Sequence, residues 1–105
     1  MTGDSLSEQP DQAIDRLALC RQDIDRIDAV LVALLQERTR LAVDAGRIKT
    51  QSGQPLVAPL REAAVFERVR SLARAPLEPD AVTRIFECII EAARAAEAQC
   101  LEPGR

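Results

Sequence analysis

The chain has 105 residues, with 47% hydrophobic and 2% aromatic side chains and a formal net charge of −3, enough for one domain with a modest core. Its only aromatics are Phe66 and Phe86, a poor composition for a strand-built core and for base stacking, and the acidic balance argues against a general phosphate-backbone binder. It has no histidine, which rules out a histidine general base and any histidine-bearing metal site.

Residues 1 to about 10, MTGDSLSEQP, read as a polar, disordered leader with no apolar signal core. No later apolar run approaches membrane length, so a cytoplasmic location is expected. From Asp11 to about Gln51 no proline interrupts the chain. This predicts one long helix, stopped at Ser52-Gly53 with Pro55 just beyond. Along it a 3-4 repeat runs Leu17, Cys20, Ile24, Ile27, Leu31, Leu34, Arg38, Leu41, Ala45, Ile48, the pattern of a seam buried against other helices. At ~1.5 Å per residue such a helix is roughly 60 Å long. A compact monomer of this length should be only roughly 35 Å across. The seam is therefore expected to pack against a second copy of the chain.

QSGQPLVAP forms a loop bracketed by Pro55 and Pro59. A second helix is predicted from about Leu60 to Arg74, burying Val65, Phe66, Val69 and Leu72, and APLEP makes the next turn. The third helix should start near Pro79-Asp80 and run to about Cys100. Its inner stripe is Val82, Ile85, Phe86, Ile89, Ile90, Ala93 and Leu101. The folded domain then spans residues 11–101, with 102–105 as a tail. The fold class is all-α: three helices, one very long, in an intertwined homodimer. Cys20, Cys88 and Cys100 include no Cys-x-x-Cys pair and read as small core hydrophobes in a reducing compartment.

Arg38 places a permanent cation where the seam calls for leucine, so an anion is expected to meet it there. Lys49 lies eleven residues on, within ~20° of the same helix face and roughly 16 Å away, so both side chains can converge on a small anion. Alternatively Lys49 is a snorkelling lysine at a helix end. Arg21, seventeen residues before Arg38, sits ~100° round the helix and some 25 Å away. It is either a solvated arginine or a contributor to a partner's site. Glu62 in a first helical turn is explained by the macrodipole alone, whereas Arg61 beside it runs against that dipole. Glu97 continues the inner stripe of the third helix and should point inward unless the helix frays before it. Arg84, Glu87, Glu91 and Arg94 have the spacing of a solvated face. With no nucleophile beside a base, no glycine-rich phosphate loop and no metal-ligand cluster, no metal or cofactor is expected. A cationic cage is left, suited to a multiply anionic substrate whose reaction needs folding and charge stabilisation.

The run LCRQDIDRIDAVLVALLQERTRLAVDAGRIKTQSGQPLVAPLRE, followed by RIFECIIEAARAAE, resembles the AroQ-type chorismate mutases over roughly residues 17–98. The resemblance rests on five ordered blocks: R-x-x-I-D-x-I-D, L-L-x-x-R, G-x-x-K, P-x-R-E and I-I-E-x-(A/S)-R. It implies an all-helical intertwined homodimer that converts chorismate to prephenate, on the route to phenylalanine and tyrosine, by a Claisen rearrangement without cofactor. Arg38 and the partner's Arg21 would bind the substrate's two carboxylates, supported by Arg61. Lys49 would contact a carboxylate and the ether oxygen, and Glu62 the ring hydroxyl.

The chain departs from the family pattern in places. Ala58 replaces an aspartate of some members and would offer only its backbone. Ala93 stands where many members have serine. Glu97 holds a position usually occupied by glutamine, so it should act as a neutral acid, its pKa raised by burial. Isochorismate-pyruvate lyases and aminodeoxychorismate mutases share these helices and are the nearest alternatives. A non-catalytic dimerisation module is the alternative of another class. The end at CLEPGR reads as a monofunctional enzyme rather than a mutase fused to prephenate dehydratase.

Overall fold

In a computed structural model, residues 9–101 are described; most of the expected leader and the 102–105 tail lie outside them. The described residues form three helices and no strand: α1 over Pro10–Gln51, α2 over Pro59–Leu72 and α3 over Pro79–Leu101. Each opens on a proline, whose missing N–H is one that a first helical turn leaves unpaired anyway. Pro10, assigned above to the leader, thus belongs to α1. At that end the Gln12 side chain accepts a hydrogen bond from the Gln9 N–H at 3.1 Å, one half of a capping box. At the other end Gln54 N donates to Lys49 O at 2.8 Å and Gly53 N to Thr50 O at 3.3 Å. This is a Schellman closure, and it requires the left-handed φ of +74° that Gly53 adopts.

The chain divides into two units, one up to Leu34 and one from Leu35 on. The first is the N-terminal stretch of α1, a helix whose apolar positions are exposed in the single chain. Leu17, Ile24, Ile27 and Leu31 of the predicted seam are 47–55% accessible.

The second unit holds the core. Arg70, near the end of α2, donates to Asp80 Oδ1 at 2.7 Å and to Thr83 Oγ1 at 2.9 Å at the start of α3. Arg94, late in α3, bonds Glu62 in the first turn of α2. These two ties at opposite ends make α2 and α3 an antiparallel hairpin. Val65, Val69, Val82 and Ile90 are buried between them, with Phe66, Ala73 and Phe86 packed against the cluster. The C-terminal part of α1 runs alongside α3 in the same direction. Arg38 lies over Phe86, and a Cβ on the buried Gly46 would come within 2.6 Å of Leu101 Cδ1.

Several sequence expectations are corrected here. α2 ends at Leu72 rather than Arg74, because Ala73 turns extended (φ −64°, ψ 141°) and donates its N–H to Arg70 O. Ala73 then packs on the core while Leu72, expected inside, is 66% exposed. Ile85, at 48%, lies roughly 95° from the centre of the α3 stripe, too far round to be covered by α2. All three cysteines are exposed in the chain rather than buried; Cys88 projects from the side of α3 away from the core. No helix among the described residues is long and apolar enough to cross a membrane.

Candidate active site

The second unit contains a cleft of about 570 Å³. Helical spacing builds its walls. From α1 come Arg38, Leu41, Ala42, Ala45 and Lys49; from α2, Arg61, Glu62, Val65 and Arg68; from α3, Ile90, Ala93, Arg94, Glu97 and Ala98. Within each helix these residues recur three or four apart, so each presents one face to the cleft. The loop before α2 adds Leu56, Val57 and Ala58. The floor is apolar and the rim is cationic.

Arg38 is half-buried, with its guanidinium carbon 5.8 Å from the centre of the Phe86 ring. The ring face supplies the attraction that the seam position called for. No described carboxylate forms an ion pair with Arg38, so the expected anion does not come from the described residues. Lys49 Nζ donates to the Leu56 carbonyl at 3.0 Å, which ties the loop to α1 and leaves further N–H donors on the ammonium. Ala58 occupies the N-cap of α2 without a side-chain cap. Its carbonyl accepts the Glu62 N–H at 3.0 Å and keeps one lone pair for another donor.

Arg61 is exposed and Ala93 is buried on the floor at 5% accessibility. Glu97 is half-buried, with Oε2 3.6 Å from where a Gly46 Cβ would sit. Because α3 continues to Leu101, Glu97 is not on a frayed end. Arg21 is exposed in the first unit and is not a lining residue of this cleft.

Two charged lining residues were not anticipated as such. Arg94, assigned above to a solvated face, reaches α2 and pairs with Glu62. The signal was its place in the I-I-E-x-(A/S)-R block, directly after the inward-facing Ala93. Arg68 follows Arg61 by seven residues, two turns along the same face. The ionisable groups with clear pKa shifts lie outside the cleft. Arg40, bonded to Glu37 on the outer face of α1, lowers the Glu37 carboxyl and is itself raised; Arg70 lowers Asp80. Among the described residues no group of Cys, Asp and Glu side chains is arranged to hold a metal ion. The cleft is lined by five cationic side chains, Arg38, Lys49, Arg61, Arg68 and Arg94, against two carboxyl groups, Glu62 and Glu97.

A family model described as chorismate mutase type II matches residues 20–98, a stretch that takes in most of α1 and all of α2. The chain belongs to that family. Among type II chorismate mutases and their relatives it is similar to the chorismate mutase of Methanocaldococcus jannaschii, 37% identical over 90 residues that cover 85% of this chain and 91% of that one. It is also 38% identical over 88 residues to the bifunctional chorismate mutase/prephenate dehydratase of Pseudomonas aeruginosa, of which the match spans only 24%. Of solved structures, chorismate mutase (form II) from Thermus thermophilus superposes with a TM-score of 0.75 at 28% identity, covering 78% of this chain and 93% of that one. The all-α architecture is that of a chorismate mutase.

Proposed function

We propose that the chain rearranges chorismate to prephenate in this cleft, working as a homodimer. The observation that carries this reading is the convergence of Arg38, Lys49 and Arg61 on one apolar-floored cleft that also holds Glu62 and Glu97. In a Claisen rearrangement one C–O bond breaks as one C–C bond forms within the same molecule, so no proton is removed and no group leaves. The protein has to hold the two carboxylates, fold the enolpyruvyl arm over the ring and meet the charge that grows on the ether oxygen. Arg38 takes one carboxylate and the partner's Arg21 the other, with Arg61 behind them. Lys49 serves a carboxylate and the ether oxygen. Glu62 and the Ala58 carbonyl accept the ring hydroxyl. Glu97 and Ala93 form the wall beside the ether oxygen.

Two features support the second chain. The exposed seam from Leu17 to Leu34 is a larger apolar surface than a stable monomer shows to water, and Arg21 lies on that same stretch of α1. Loss of chorismate absorbance on adding purified protein tests the reaction. Turnover of isochorismate or aminodeoxychorismate with chorismate untouched would replace it. Mixing inactive Arg21→Ala and Arg38→Ala chains tests the sharing. Random exchange should restore about one quarter of wild-type activity, because half the dimers are mixed and each mixed dimer has one intact site. No recovery after exchange would refute a shared site.

A further inference from the structure

We propose that Arg94 is a positioning residue, whose guanidinium reaches from α3 to the first turn of α2 and fixes the Glu62 carboxylate so that its second oxygen is presented to the substrate's hydroxyl. The inference rests on the reading of Glu62 as the hydroxyl's acceptor. Arg94 Nη2 donates to Glu62 Oε1, while no described residue donates to Glu62 Oε2, so one oxygen is engaged and the other is available. Both residues line the cleft, and the Glu62 side chain is 26% exposed against 50% for Arg94. The carboxylate is therefore sheltered, and the arginine approaches it from the wetter side.

The choice of partner is informative. Glu91 stands three residues before Arg94 on the same helix, a spacing that gives an easy local ion pair. The guanidinium crosses to α2 instead. Glu62 is one residue from Arg61, and a glutamate on a first helical turn otherwise has several rotamers open to solvent. A charge-assisted bond from another helix removes that freedom before the substrate arrives, which is the kind of preorganisation that lowers a barrier.

The test is a double-mutant cycle read as kcat and KM for chorismate, with melting temperature followed alongside. Arg94→Met should lower kcat roughly tenfold, the scale of one misaligned hydrogen bond. KM should move far less, because the carboxylate-binding cations are untouched. Arg94→Lys should recover part of the loss. In a Glu62→Gln background Arg94→Met should cost almost nothing more, since the group it positions is already altered. Full multiplication of the two effects would overturn the proposal while leaving the Glu62 reading intact. So would an active Arg94→Met beside an impaired Glu62→Gln. An unimpaired Glu62→Gln would overturn both. A loss in Arg94→Met that only follows a lowered melting temperature, unrelieved in Arg94→Lys, would mark a structural tie and likewise refute it.

Discussion

Replacing Arg38 by leucine separates a site residue from a seam residue, because the two roles call for opposite outcomes. In the fold, Arg38 is half-buried and stacked over Phe86 at 5.8 Å, a contact worth about 0.5–1 kcal/mol at a partly exposed position. Leucine forfeits that attraction but restores an apolar side chain to an apolar stripe, a gain of roughly 1 kcal/mol for partial burial. The two terms offset, and the melting temperature should stay within about 5 °C of wild type, since ~1 kcal/mol moves a domain of this size by that order. Catalysis has no such offset. A guanidinium meeting a substrate carboxylate supplies about 1.5–3 kcal/mol through charge-assisted hydrogen bonds. Its loss should cut kcat/KM roughly 10- to 150-fold. The assay is the decay of chorismate absorbance, with thermal unfolding followed by circular dichroism on the same samples. A variant more stable than wild type that turns over chorismate within threefold of it would mean that Arg38 serves packing alone. The cleft would then have to be explained without it.

Glu97→Gln should keep activity, because the amide offers the ether oxygen an N–H donor. A glutamine variant much weaker than wild type would contradict a place for Glu97 beside that oxygen. Val69→Ala removes two methyl groups from the α2–α3 core, away from the cleft lining. It should cost about 1–3 kcal/mol of stability with kcat unchanged below the new melting point; a kinetic defect in still-folded protein would show that core and site are coupled. Arg70 holds the exposed Asp80 carboxyl below its usual range, so the pair contributes stability above the unfolded pKa of about 4 and loses it as pH falls through the lower folded value. Asp80→Asn should therefore melt with a shallower acid dependence below about pH 4 than wild type. Parallel curves would assign no role to the pair.

The helices were legible because punctuation and periodicity agree: Pro10, Pro59 and Pro79 open them, and Gly53 closes the first with its positive φ. The residues that converge on the cleft were legible for a different reason. A charge inside an apolar repeat, as at Arg38 or Glu97, contradicts its surroundings and so stands out. Arg94 escaped because it contradicts nothing. On α3 it completes a polar spacing with Arg84, Glu87 and Glu91, and its pairing with Glu62 depends on the tilt of one helix against another, which local spacing does not encode. Ile85 was misplaced through the width of the buried stripe, and Leu72 through the helix end, where the extended Ala73 takes the place on the core. A hairpin of two helices covers less of each cylinder than a full bundle does, so apolar residues on its flanks remain outside.

The surplus of cations in the cleft makes the choice of solution part of the protein's behaviour. Arg38, Lys49, Arg61, Arg68 and Arg94 outnumber Glu62 and Glu97 along its walls, so the free protein carries repulsion that any small anion can relieve. An anion that binds only the folded state at a hundred times its Kd adds about 2.7 kcal/mol to stability. On the proposed reading of the cleft, sulfate or phosphate in storage buffer would then raise the melting temperature by competing for the place of the substrate's carboxylates. An additive that raises the melting temperature through this cleft should by the same binding slow turnover, and excess chorismate should reverse the effect.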